Sequence, residues 1–419
     1  MTHPHATLSR RDLMARAAAA AAVAMLAPYA RAADGPAALD PEKFKAADAA
    51  IEAAIAEKQI PGAVLCAGRR AGVVYLKAYG NRALEPQPVA MTTDTVFDLA
   101  SLSKPTGCAT SVMKLVEDGK ISVTDRVAKY LPPFGANGKQ DVTIEHLLLH
   151  RGGVIPDNPM SDFVGTPEEM MRRTLEVQLK YEPGTKVVYS DVGFMALGEL
   201  VRVVAGRPLN EFARDVVFKP AGMNETTYLP GEALKARCAP TEQREGKWIV
   251  GDVHDPRAYA LGGVAGHAGL FGTAGDLARY CRMIMSGGEL EGSRVLKDTT
   301  VAEMTRPRAL PDGTGVRTYG FDCDTGYSAP RGERFPKGKT FGHTGFTGTS
   351  YWMDPANDAF VILLTNAVHP KHAGKPINPV RRAVGTAAAE ALLPPAAWEV
   401  ATPEAAGAGG GGAGDGGRR

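Results

Sequence analysis

The feature that most restricts how this chain can fold is where its strand-like text falls. Ala63–Gly68 and Val73–Tyr79, joined by Arg69-Arg70-Ala71-Gly72, read as the two arms of a β-hairpin. Strand patterning returns only near the other end, at Thr349–Met353 and Asn357–Asn366. From Pro105 to about Pro330 the text is short helical segments separated by Gly/Pro turns. These are Val123–Leu131, Thr143–His150, Met170–Leu179 behind the Thr166-Pro167-Glu168-Glu169 capping box, Phe194–Val204, and a helix from Thr273-x-x-Asp276 to Ser286. A helix opened by Asp40-Pro41 and running to about Lys58 precedes the hairpin, and alanine-rich Pro379–Leu393, capped by Asn378, closes the chain. The prediction is an α/β (α+β) fold in which both chain ends build one antiparallel sheet flanked by helices. The sheet part takes about 40–100 and 336–395, and a mainly helical region takes about 101–335. A crevice between two such parts is a usual place for a site.

Ser101-Leu102-Ser103-Lys104 sits where the first sheet part gives way to the helical region. Cys108, Val112 and Leu115 continue it along one helical stripe as far as Gly119. Residues three apart share a helix face, so the Ser101 hydroxyl and the Lys104 amine can meet, while Ser103 points elsewhere. A serine hydroxyl needs a base beside it, and a lysine serves only if its surroundings lower its pKa. Two further motifs follow in the order an acyl-transfer site needs. Tyr189-Ser190-Asp191 lies in the helical region, and His343-Thr344-Gly345, leading into Phe346, lies on a late edge-strand pattern. A strand beside a nucleophile can aim a backbone N–H at a developing oxyanion.

These motifs, with "GKISVTDRVAKYLPP", "VTIEHLLLHRGG", "YEPGTKVVYSDVGFMALGELV" and "FGHTGFTGTSYWMDP", make residues 40–395 resemble the serine β-lactamase and penicillin-binding-protein superfamily. The resemblance is to its class C β-lactamase-like, D-alanyl-D-alanine carboxypeptidase-like and esterase-like branch. It implies Ser101 as the acylated nucleophile, Lys104 as proton acceptor and orienter, and Tyr189 as the shuttle to the leaving group. The backbone N–H groups of Ser101 and Phe346 would form the oxyanion hole. His343 stands where the family usually has lysine, and Asp191 where it often has asparagine. Asp191, Thr344 and Gly345 become candidate substrate contacts. Neutral imidazole in place of a lysine would deprive a substrate carboxylate of a cationic partner. The stretch Val253-His254-Asp255-Pro256 through Phe271 resembles members linked to cell-wall turnover, which points to peptidoglycan-derived amides.

The chain of 419 residues has a formal charge of +2; its first 32 residues hold four arginines and one aspartate, leaving the remainder near −1. That balance argues against a nucleic-acid partner. Arg10-Arg11, a mild apolar run and Ala30-Arg31-Ala32 read as a twin-arginine-type signal over 1–32, which places the mature protein in the periplasm or outside the cell with no membrane anchor. The domain then spans 33–400, and the glycine-rich 401–419 reads as a disordered tail. Five cysteines lack paired spacing, so Cys66 and Cys108 are expected as core fillers. His146 and His150 lack the acidic residue of a helical zinc signature, and His254, Asp255 and His267 are expected in loop hydrogen bonding. The expectation is a hydrolase that needs no cofactor and no metal and acts on a small-molecule ester or amide, or on a peptidoglycan fragment. The alternative is a penicillin-binding sensor that is acylated and turns over poorly.

Overall fold

The computed structural model describes residues 39–398 apart from 373 and 375. The signal reading on 1–32 and the tail reading on 401–419 lie outside the described residues. Asp40 accepts the Glu42 N–H at 3.0 Å, and Pro41 starts a 3-10 turn that leads into α1 (Lys45–Ala56). The hairpin follows as β1 (Gly62–Arg69) and β2 (Gly72–Ala83), with a short β3 (Val89–Ala90). The helical region contains α2 (Thr110–Glu117), α3 (Asp191–Ala205) and α4 (Ala274–Met285). Gly206, at φ +67°, ends α3, because a left-handed residue at that point is free of strain only without a Cβ. The sheet resumes with β4 (Arg308–Ala309), β5 (Val316–Arg317), β6 (Asp322–Asp324), β7 (Phe341–Thr344), β8 (Ser350–Asp354) and β9 (Ala359–Leu364), and α5 (Asn378–Leu392) closes the fold.

One nine-stranded antiparallel sheet runs in the order β4-β5-β6-β7-β8-β9-β1-β2-β3. The chain ends meet in its middle, where β1 pairs with β9 from Val64↔Leu364 to Gly68↔Phe360. Alternation divides the side chains between two cores. Leu65, Ala67, Trp352, Val361 and Leu363 pack under α1 and α5 against Phe44, Ile51, Val380 and Val384. Val64, Cys66, Tyr351, Met353 and Ile362 face the helical region and meet Cys108, Val112, Phe194 and Tyr280. His343 pairs with Tyr351, so it shares that second face.

Several details differ from the sequence reading, among them the helix expected over Val123–Leu131, which is only a 3-10 turn at Val127–Lys129 before the Pro132-Pro133 pair. The sheet recruits β4, β5 and β6 from 308–324, segments of two or three residues that are too short to show a period of two. As a result β7 is an interior strand between β6 and β8, and not an edge. Asn378 is the first residue of α5, and its Oδ1 accepts from the Arg381 guanidinium at 2.9 Å instead of capping the helix. All five cysteines are buried and free. No helix among the described residues is long and apolar enough to cross a membrane.

Candidate functional site

The chain reaches the site through Phe97–Asp98, a short strand paired with Phe271–Gly272. Ala100 then takes φ +47°, a left-handed conformation that costs a residue with a Cβ about 1–2 kcal/mol. The buried Asp98 carboxylate holds this bend by accepting the Ala100 N–H at 2.8 Å and the His254 N–H at 2.7 Å. A 3-10 turn (Ala100–Leu102) and a π-helical turn (Lys104–Ala109) carry the chain into α2. This winding puts Lys104 Nζ 2.9 Å from Ser101 Oγ. Ser103 turns away, donating to the Ala100 carbonyl at 2.6 Å and accepting the Leu270 N–H at 3.0 Å.

Lys104 is fully buried. Its ammonium also donates to the His267 carbonyl at 3.1 Å, pairs with Asp191 Oδ1 at 2.6 Å and lies 4.8 Å from the Tyr189 ring centroid. Burial disfavours the charge, but Asp191 and Tyr189 outweigh it and push the Lys104 pKa above the ordinary lysine value. The expectation that the surroundings lower this amine is therefore corrected. Asp191, the first residue of α3, turns to Lys104. Burial raises the Tyr189 pKa, with Lys104 opposing and Asp191 reinforcing, so the phenol acts electrostatically on the Lys104 and Asp191 groups. The Tyr189 ring stacks on His150 at 4.4 Å and lies 5.6 Å from Tyr327 and 6.0 Å from His343.

The segment after β7 is stitched to the loop that leads into Ser101. Thr347 Oγ1 donates to the Asp98 carbonyl at 2.8 Å, and Thr349 Oγ1 to the Leu99 carbonyl at 3.0 Å. Gly345 permits this approach, since a Cβ there would lie 2.2 Å from Thr349 Oγ1 and 2.6 Å from the Leu99 oxygen. The Gly345 N–H is engaged by the Thr349 carbonyl at 2.7 Å, whereas the N–H groups of Ser101 and Phe346 have no acceptor among the described residues. The Phe346 ring is 61% exposed and stacks on His254 at 5.7 Å and His372 at 5.3 Å. His343 is buried, its Nδ1 2.7 Å from the Thr344 carbonyl oxygen. Burial lowers its pKa to about 4, with Lys104 and Arg317 adding to the effect against Asp322, so the imidazole is neutral at pH 7. Half-buried Thr344 meets His343 through that carbonyl.

Ser101, Tyr189 and Asp191 thus gather around Lys104, with His343, Gly345 and Phe346 on the adjoining strand and turn. Sequence reasoning missed the Lys104–Asp191 pair and the support behind it. His267 gives its carbonyl to Lys104 and its Nε2 to Asp255 at 3.0 Å. Asp191, Asp255 and His267 bring donor atoms within 4.8 Å of one another and could hold a cation; the Lys104 ammonium already faces Asp191 there. His146 joins a capping box with Thr143, while His150 supports Tyr189 and accepts the Ser190 N–H at 3.0 Å. The "HLLLH" spacing carried no signal for that division of labour.

Comparison with known proteins places this geometry. Residues 47–386 match the Beta-lactamase family. A Salmonella schwarzengrund protein provisionally named D-alanyl-D-alanine carboxypeptidase is 33% identical over 341 residues, covering 73% of this chain and 77% of its own. The fold is shared with a penicillin-binding protein homologue from Caulobacter crescentus (TM-score 0.68, 22% identity, 84% of this chain and 99% of that one). It is shared also with a family VIII carboxylesterase (TM-score 0.65, 24% identity, 85% of this chain and 99% of that one). The chain belongs to the Beta-lactamase family and is a serine hydrolase of that family.

Proposed function

We propose that the protein is an exported hydrolase that cleaves an ester or amide through an acyl-enzyme on Ser101. The observation that carries this reading is the Lys104 ammonium, 2.9 Å from the Ser101 hydroxyl and 4.8 Å from the Tyr189 ring centroid, with the backbone N–H groups of Ser101 and Phe346 unengaged among the described residues. Both Lys104 and Tyr189 hold their protons more tightly than the free side chains do, so at neutral pH the pair is mostly fully protonated. The form that has lost one proton is the base, and its titration belongs to the pair. In that form Ser101 Oγ attacks the carbonyl carbon while its proton passes to the Tyr189–Lys104 pair. The carbonyl oxygen becomes an oxyanion between the N–H groups of Ser101 and Phe346. The intermediate expels the leaving alcohol or amine, which takes the proton by way of Tyr189. Water then attacks the acyl-Ser101 ester and gives its proton to the same pair; the bond between the acyl carbon and Ser101 Oγ breaks, the pair returns that proton to Oγ, and the acid leaves.

Export rests on the reading of residues 1–32, and a peptidoglycan-derived substrate is supported by the name of the Salmonella relative. The test is a fluorophosphonate probe and a labelled β-lactam, with Ser101→Ala as the blank. Labelling confined to Ser101 and followed by fast release of the β-lactam acyl group supports a hydrolase. A persistent acyl group supports the sensor reading, and equal labelling of Ser101→Ala refutes both.

A further inference from the structure

Beside the short helix Ile144–Leu148 the surface opens into a polar cleft of about 380 Å³ that the chemistry at Ser101 does not use. Its lining comes from two stretches far apart in the chain, positions 145–151 and 306–309, and includes three arginines and a histidine. Arg151 faces no carboxylate among the described residues. Its Nε and Nη2 donate to the Gly184 carbonyl at 3.2 and 2.7 Å, which fixes the guanidinium and leaves Nη1 without an acceptor there. His146 Nδ1 accepts the Thr143 N–H at 3.2 Å, so the neutral ring carries its proton on Nε2. Gly184 marks where these donors converge: a Cβ on it would lie 3.3 Å from His146 Nε2 and 3.9 Å from Arg151 Nη2.

The second stretch adds charge that is also held in place. Arg306, 56% exposed, forks Nε and Nη2 onto Glu303 at 3.0 and 2.9 Å and keeps Nη1 uncommitted among the described residues. Arg308 is buried, its guanidinium lying 3.4 Å from the Tyr319 ring centroid. Arg308 Nε has no hydrogen bond and reaches Glu145 Oε1 only at 3.4 Å, an oxygen that already accepts the Tyr319 hydroxyl at 2.7 Å. Three arginines thus meet two carboxylates, Glu145 and Glu303, and the cleft keeps a surplus positive charge. Side chains already fixed by a carbonyl, a carboxylate and an aromatic ring lose little freedom when an anion arrives. A carboxylate has two oxygens to share among Arg151, His146 and Arg306, whereas a phosphate can serve all three.

We propose that this cleft binds a phosphate group, free or carried on a small ester, with Arg151, His146 and Arg306 as its donors. The site is independent of the acyl-enzyme reading and stands whether or not Ser101 is acylated. It adjoins the segment that delivers Tyr189: the Gly184 N–H donates to the Arg151 carbonyl at 2.8 Å, and the Val188 N–H to the His150 carbonyl at 2.8 Å.

The test is isothermal titration calorimetry at fixed ionic strength with inorganic phosphate, glycerol 3-phosphate and, as the uncharged control, glycerol. Wild type is expected to bind the phosphates with a Kd of about 1 mM or tighter and to give no heat with glycerol. An ester that binds more tightly than inorganic phosphate assigns the cleft to phosphate esters, and equal affinity assigns it to the free ion. Arg306→Gln, at an exposed position, should weaken binding about tenfold. Glu145→Gln removes a carboxylate from the lining but keeps an acceptor for Tyr319, and it should tighten binding by about threefold or more. Thermal melts confirm that each variant is folded. No phosphate binding by wild type up to about 20 mM, unchanged affinity in folded Arg306→Gln, or weaker binding in folded Glu145→Gln overturns the proposal. If Glu145→Gln does not fold, Arg306→Gln decides alone.

Discussion

Asp191→Asn removes the charge facing Lys104 while preserving shape. At 2.6 Å and an effective dielectric of about 20, the gross attraction is about 6 kcal/mol. Much of that is absorbed by burial, which opposes the Lys104 charge, and Tyr189 stays in place to favour it. An opposite charge so near shifts a titration by about 1–3 pH units, or roughly 1.4–4 kcal/mol. Losing it makes the first proton easier to remove from the Lys104–Tyr189 pair, so the acid limb of kcat/KM should move down by about 1–3 pH units. On that limb the variant should be faster than wild type, with a lower plateau if the Lys104 position loosens. The assay is kcat/KM for a nitrophenyl ester between pH 5 and 10, with thermal melts to confirm folding. A limb that stays put or moves up would show that Lys104 and Tyr189 do not supply the base.

Three further outcomes follow from the same geometry. His343 titrates near 4 in the fold and about 6.5 when free, so the unfolded chain binds the extra proton first, and stability should fall by about 3 kcal/mol between pH 6.5 and 4 on this account. His343→Gln should flatten urea-unfolding stability over that window, and an unchanged slope would contradict the assignment. Gly345→Ala should cut kcat by about 100-fold or more, because the new Cβ would push the Phe346 N–H away from Ser101, while circular dichroism stays native. Ala100→Gly should relieve the left-handed strain and raise unfolding free energy by up to about 1 kcal/mol; a loss of more than that would show that the Ala100 methyl packs too well to be dispensable.

The sheet of both chain ends and the three motifs could be read from the sequence because each depends on local pattern: a period of two, a turn, a serine three residues before a lysine. The charge state of Lys104 could not. It is set by Asp191, 87 residues away, and by a carbonyl from position 267, and no spacing rule records that kind of contact. The same holds for His150, whose backing of Tyr189 comes from tertiary stacking, and for β4 to β6, whose pairing is a matter of tertiary position.

Arg381 belongs to α5, the last α-helix of the described fold, yet its guanidinium ties down the carbonyls on either side of the turn that carries Phe346. During synthesis, therefore, Ser101, Lys104 and Tyr189 are all translated long before the clamp that completes their pocket. A chain ending short of residue 378 would lack both of these hydrogen bonds to the turn.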